Sequence, residues 1–299
     1  MSALVRGMEE EYLLNLLAEY GLVSGADAER VVKLRESTNQ PTGAVLVSQG
    51  ILEEKRLYQF ICNELGMNPE QIFNNRFYDI AGLTIPKFEV SGDFYGSFML
   101  DGGRIAITLS DVSGKGLEAG LLAILLANIL KTGIRMQNTI PSMILRKINS
   151  ATKRFFGEEQ FATFIVLILD TDSGVVEFCC AGSPPILAYR RKNHQVEQLE
   201  VKGIPVGIYD DFLFNGSRTT MDKGDVLLLY TDGAYENQNI RDEYYGLRRV
   251  QESLRKHAGK TPQKMLRAMK REIQWFSLFR GFNDDTTFVT IKRSDRGGS

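Results

Sequence analysis

Strand-length apolar runs recur between residues 78 and 293, and aspartates stand where four of them begin or end. Asp93 lies in Ser91-Gly-Asp-Phe-Tyr, Asp111 opens Asp-Val-Ser-Gly-Lys-Gly, Asp232 follows Val226-Leu-Leu-Leu-Tyr-Thr, and Asp284 precedes Asp285-Thr-Thr-Phe-Val-Thr-Ile. Carboxylates so far apart in sequence cannot bind one ion locally. Strands of one sheet system can bring their ends to a common rim, and oxygen ligands gathered there suit Mg²⁺ or Mn²⁺. That requirement restricts the fold to one whose strand ends share an edge.

Histidine adds little, because the chain has only His194 and His257, too few for a zinc cluster, and neither sits in a catalytic motif. The chemistry is expected to run on metal-bound water. A formal net charge of -1 and the lack of a basic tract exclude an electrostatic case for nucleic acid. Cys62, Cys179 and Cys180 have no metal-ligand spacing and form no disulfide framework, which fits a reducing cytoplasm. The beginning of the chain lacks the basic start and apolar core of a signal peptide. The most apolar stretch, from Leu117 to Leu130, is too short to cross a bilayer and carries Glu118 and Asn128, so no membrane span is expected.

Residues from Glu9 to Leu65 are periodic in the helical sense and hold a repeat. Leu16-Leu-Ala-Glu-Tyr-Gly-Leu-Val aligns with Val45-Leu-Val-Ser-Gln-Gly-Ile-Leu, glycine on glycine, and an amphipathic segment follows each copy: Asp27 to Glu36, then Glu53 to Leu65. The expected organisation is a small helical domain over 1–66, a linker over 67–77 and a larger domain over 78–295. In the larger domain, Asp101-Gly-Gly reads as a hairpin turn between strands Val90–Leu100 and Arg104–Ser110. Helices follow over Leu117–Met136 and Pro141–Phe156. Further strands are expected at Phe161–Leu169, Val175–Ala181, Ile186–Arg190, Phe212–Met221, Val226–Tyr230 and Thr286–Ile291, with helices at Leu247–His257 and Pro262–Phe276. Short turns between strands predict antiparallel sheets and an α+β class.

Taken singly, an Asp-Gly turn is most simply a turn, while Asp111 before its glycine-rich loop is the strongest single signal, with a helix cap as the plainer alternative. The joint, ordered set carries more. Ser91-Gly-Asp-Phe-Tyr, Asp111-Val-Ser-Gly-Lys-Gly, Phe161-Ala-Thr-Phe, Ala181-Gly-Ser-Pro-Pro, Gly203-Ile-Pro-Val-Gly, Lys223-Gly-Asp, Tyr230-Thr-Asp-Gly-Ala-Tyr-Glu and Asp284-Asp-Thr-Thr resemble the SpoIIE/RsbU branch of bacterial metal-dependent serine/threonine phosphatases. The resemblance implies an αββα sandwich of two antiparallel sheets flanked by helices, with two Mn²⁺ or Mg²⁺ ions at one edge. It implies that Asp111 bridges both ions, that Asp93 and the Val112 carbonyl serve one, and that Asp232 and Asp284 serve the other. It implies a phosphoserine/phosphothreonine phosphatase whose phosphoprotein substrate is an anti-sigma-factor antagonist.

Where that family carries a further acidic residue and a histidine, this chain has Gly96 and Ser183, which supports an alternative: a weak or inactive phosphatase fold that binds signalling partners. The stretch Phe164-Ile-Val-Leu-Ile-Leu-Asp170-Thr-Asp172 resembles haloacid-dehalogenase phosphatases, with Asp170 as nucleophile, but the strand that returns at once argues against that fold. The helical repeat resembles the N-terminal domain of type II secretion ATPases. Pro41-Thr42 and Glu64 replace its nucleotide motif, so cyclic di-GMP is not expected, and docking or dimerisation is the expected use.

Overall fold

The computed structural model of the 299-residue chain describes residues 17–38, 42–53, 72–74, 77–87, 91–114, 116–135, 140–152, 160–278 and 280–294, with a few isolated positions besides. The fold is an αββα sandwich. One sheet has the strand order β1-β2-β11-β10-β7-β8, built from β1 Ile72–Asn74, β2 Tyr78–Ile85, β7 Ile186–Arg190, β8 Gln195–Leu199, β10 Val226–Tyr230 and β11 Thr286–Arg293. The other has the order β3-β4-β5-β6-β9, built from β3 Phe94–Leu100, β4 Arg104–Val112, β5 Ala162–Asp170, β6 Val175–Ala181 and β9 Gly216–Thr220. Every strand pair in both sheets is antiparallel.

The continuous apolar runs follow from covering both faces of each sheet. In β10 all five residues are buried. Leu227 and Leu229 enter the core between the sheets, while Val226, Leu228 and Tyr230 face the helical layer of α6 Leu247–His257 and α7 Pro262–Phe276. β5 divides likewise: Ile165, Leu167 and Leu169 enter the inter-sheet core, and Phe164, Val166 and Ile168 lie under α3 Gly116–Arg135 and α4 Pro141–Thr152.

The α3 helix is apolar on nearly every side, with Leu121 to Ala127 all buried, and such a helix needs cover on its outer face too. The N-terminal helices α1 Gly25–Thr38 and α2 Thr42–Ser48 supply it. Leu17, Leu22, Val31, Val45 and Leu46 belong to the same apolar cluster as α3, and α2 packs directly on it. The repeat is visible as geometry. Gly21 and Gly50 both adopt positive φ, and the next amide closes back five residues, from Leu22 to the Leu17 carbonyl and from Ile51 to the Leu46 carbonyl, each at 2.9 Å. This is the Schellman helix ending, and its left-handed residue is what glycine supplies. The helix expected over 53–65 lies largely outside the described residues.

Two arginines close the end of the sandwich opposite the aspartates. Arg190 bonds Asp225 at 3.1 Å and the Thr219 hydroxyl at 2.7 Å, tying β7 to β9 across the sheets. Arg293 donates to the carbonyls of Met221, Ser173 and Asp172.

Three expectations need correction. The stretch over Tyr78–Ile85, for which no strand was expected, is a full strand paired along its length with β11, and Ile72–Asn74 pairs with it as β1. The Phe212–Met221 strand shortens to Gly216–Thr220, because Phe214 turns into the core instead of continuing the ladder. Gln195–Leu199 is an exposed edge strand whose polar side chains gave no apolar signal. Leu167, fully buried in a central strand, gives a direct test of the core: Leu167→Ala is expected to cost about 2–5 kcal/mol in urea denaturation.

Candidate metal centre

The four aspartates reach the same end of the sandwich from both sheets. Asp93 opens β3 after a turn in which its N–H donates to the Ser91 hydroxyl at 3.1 Å. Asp111 lies one residue from the end of β4, opposite Thr163 of β5. On the other sheet, Asp232 follows β10 and begins the short helix α5 Gly233–Glu236, and Asp284 precedes β11. Because β10 and β11 run antiparallel, the end of one meets the start of the other.

Threonine and asparagine side chains fasten these ends together. The Thr231 hydroxyl accepts the N–H of Thr287 at 2.9 Å and donates to Asp93 Oδ2 at 2.8 Å, so one hydroxyl orients a carboxylate of the facing sheet. Asn237, fully buried, donates to the Gly233 carbonyl and accepts the N–H of Asn283 at 3.0 Å, joining the Asp232 loop to the Asp284 loop. The loops touch so closely that a Cβ on Gly233 would lie 2.0 Å from the Asp285 carbonyl oxygen. Likewise a Cβ on Gly92 would lie 2.9 Å from the Val112 carbonyl oxygen, which places that carbonyl against the turn carrying Asp93. Glycine is required at both places.

The electrostatics match this convergence. Burial raises the Asp111 carboxyl to about 7, and the charges of Asp232, Asp284 and Asp285 push the same way, while a hydrogen bond with Asp93 pulls it down. Asp93, 1% exposed, is driven well above the carboxylate range by burial and by Asp111, against the pull of the Thr287 and Thr231 hydroxyls. Glu236 is also raised, by burial and by the charges of Asp232 and Asp284. Buried like charges favour their neutral forms unless a cation offsets them.

Among the described residues, no three His, Cys, Asp or Glu side chains stand close enough to hold a metal ion as placed. The carboxylates approach one rim without closing into a cage. The donor set nonetheless fits a hard divalent cation: four carboxylates and a main-chain carbonyl, all oxygen, with no sulfur or imidazole.

Other singled-out residues lie elsewhere. Gly96 is on the helix-covered face of β3, where an added Cβ would meet the Phe98 ring at 3.0 Å and the Thr108 hydroxyl at 3.4 Å, not the aspartate rim. Asp170 caps the β5–β6 turn: its Oδ1 accepts the N–H groups of Asp172 and Ser173 and the Ser173 hydroxyl. The register of β5 puts it seven residues from Thr163, roughly 24 Å from Asp111, which removes the nucleophile reading. Ser183 lines a small cleft with Cys180, Glu200 and Lys202. The sequence reading overlooked Thr231 and Asn237; each sits within a few residues of Asp232, where a polar side chain follows a fully apolar strand.

Two stacked antiparallel sheets between helical layers form the PP2C-type phosphatase fold. The SiaA-PP2C domain of Pseudomonas aeruginosa superposes with a TM-score of 0.65 at 20% identity, over 72% of this chain and 86% of that one. The RsbU and RsbW domains of Rv1364c from Mycobacterium tuberculosis give a TM-score of 0.64 at 25% identity, over 74% of this chain and 61% of that one. A family model, Stage II sporulation protein E (SpoIIE), matches residues 101–294, and the chain belongs to that family. Among its relatives, the phosphoserine phosphatase RsbU of Bacillus subtilis (strain 168) is 27% identical over 221 residues, 72% of this chain and 63% of that protein. This chain thus spans less than two-thirds of that relative's length.

The raised Asp111 group makes a prediction about the metal-free protein. A carboxyl that holds its proton to about pH 7 when folded, against an ordinary value of 3.8, favours the folded state below the lower value and loses that advantage as pH rises through the upper one. Asp111→Asn removes the ionisation. In EDTA the variant is expected to melt above the wild type at pH 8, with the gap narrower at pH 5 and closed only below about pH 4; thermal denaturation across that range checks this.

Proposed function

We propose that this chain is a metal-dependent protein phosphoserine/phosphothreonine phosphatase. The carrying observation is the meeting of Asp93, Asp111, Asp232 and Asp284 on one rim of a SpoIIE-family fold, with the Val112 carbonyl beside them. The name of the relative RsbU, a phosphoserine phosphatase, supports the same reading.

In this assignment Asp93, Asp111, Asp232, Asp284 and the Val112 carbonyl would hold two Mn²⁺ or Mg²⁺ ions, with Asp111 serving both. Bound there, such ions would supply the Lewis acidity that offsets phosphoryl charge and acidifies the attacking water. The chain's own part is to preorganise. Thr231 fixes which way Asp93 points, Asn237 fixes the spacing of the Asp232 and Asp284 loops, and Gly92 and Gly233 permit main-chain contacts that any side chain would prevent. No histidine relay competes. His257 is buried between α6 and α7 against Glu272, and His194 lies in the β7–β8 turn against Tyr189. In this reading water would be the nucleophile, in line with the leaving serine or threonine oxygen, and neither histidine would take part.

The substrate we assign is a phosphorylated anti-sigma-factor antagonist in a cytoplasmic partner-switching pathway. The pairing of RsbU and RsbW domains in the mycobacterial structure supports it. No described helix is long and apolar enough to cross a membrane. The helical region over 1–66 is assigned to regulation or dimerisation, because its apolar residues share a core with α3, the helix that begins just beyond Asp111 and Val112. The scaffold alternative loses half of its motivation, since position 96 faces Phe98 and Thr108 rather than the rim.

Phosphate release from a phosphoserine protein with Mn²⁺, comparing wild type and Asp111→Asn, tests the proposal. The substitution keeps the shape and removes the shared charge. A fall of about 10²-fold or more is expected; equal turnover by the two proteins sinks it.

A further inference from the structure

Asp285 follows an expected ligand and reads in sequence as its twin, but its carboxylate is committed to the main chain. Oδ1 accepts the N–H of Lys87 at 2.8 Å, and Oδ2 accepts the N–H of Gly92 at 2.9 Å. Lys87 stands two residues beyond β2 on one sheet, and Gly92 immediately before Asp93 on the other. One carboxylate therefore spans both ends of the crossover that delivers Asp93. The rest of Asp285 reaches the two remaining loops. Its N–H donates to Asp284 Oδ1 at 3.0 Å, and its carbonyl is the oxygen against which Gly233 packs, next to Asp232. A single residue thus touches the segments carrying Asp93, Asp232 and Asp284. Hydrogen bonds from backbone amides to an ionised carboxylate are of the strong, charge-assisted kind.

We propose that Asp285 is a positioning residue: a clamp that sets the Asp93 turn against the Asp232 and Asp284 loops and so fixes the site's affinity for divalent cations without ligating them. The inference rests on the metal-site reading above. It separates the two neighbouring aspartates by role, with Asp284 kept as an expected ligand and Asp285 turned to the amides of Lys87 and Gly92, the latter beside Asp93. Outer partners of metal ligands commonly govern affinity by about 10–100-fold.

Calorimetric titration of the full chain with Mn²⁺ alone tests it, using the wild type, Asp285→Asn and Lys87→Pro. Asp285→Asn retains one acceptor and loses the charge, so weaker binding in that variant alone has two explanations. Lys87→Pro removes one of the clamped N–H donors in an exposed bend, keeps the Asp285 charge and deletes a positive charge. On electrostatics alone it would tighten cation binding, whereas a broken clamp weakens it. The expected result is a dissociation constant raised on the order of 10-fold or more in Asp285→Asn and by a smaller factor in Lys87→Pro. Faster hydrogen exchange at the Gly92 amide should accompany both. Lys87→Pro also keeps the test available should Asp285→Asn fail to fold. Unchanged or tighter binding by Lys87→Pro, with Gly92 exchange accelerated, overturns the clamp while leaving the metal site intact. Absence of Mn²⁺ binding by the wild type overturns the metal-site reading itself.

Discussion

The arrangement depends on holding several carboxylates together at one end of a sandwich, where burial and mutual repulsion both oppose it. Asp93 is almost completely buried, and Asp111 is pushed to about 7 by burial and three acidic neighbours. Desolvating like charges costs free energy that nothing at the rim alone returns. Three apolar clusters, one between the sheets and one on each outer face, supply the compensating burial, and the Arg190 and Arg293 bonds lock the far end so that the strands cannot splay. The rim is thus strained electrostatically by a body that is stable elsewhere, a common disposition in functional sites.

Much of this was legible in the sequence, for identifiable reasons. Strands buried on both faces, such as Val226–Tyr230 and Ala162–Asp170, are unbroken apolar runs, and the short turns between them dictate antiparallel pairing. The positive-φ glycines of the Asp101-Gly-Gly hairpin and of the repeated Gly21 and Gly50 endings are local signals that do not need the rest of the fold. Less local features were not legible. Gln195–Leu199 is an edge strand with a polar face, and Tyr78–Ile85 owes its strand state to β11, about two hundred residues away. At the rim, the chemistry-bearing aspartates stood out by position, but the roles of Thr231 and Asn237 exist only once the two sheets face each other.

Gly96 illustrates the same limit. Its place three residues after Asp93 suggests a rim position, yet the alternation of a strand sends residues 94, 96 and 98 to the opposite face from Tyr95. Spacing along a strand decides the face as firmly as proximity in sequence decides the neighbourhood. The N-terminal repeat shows a converse case. Its helices look like a separate module, yet they share an apolar core with α3, the helix that begins just beyond the Asp111 loop.

The most direct test of the central claim is anomalous X-ray scattering from crystals grown with Mn²⁺. The account predicts two peaks about 3.5–4 Å apart, both ligated by Asp111, one also by Asp93 and the Val112 carbonyl and the other by Asp232 and Asp284. Manganese bound away from this rim, or no ordered manganese at a saturating concentration, would contradict it.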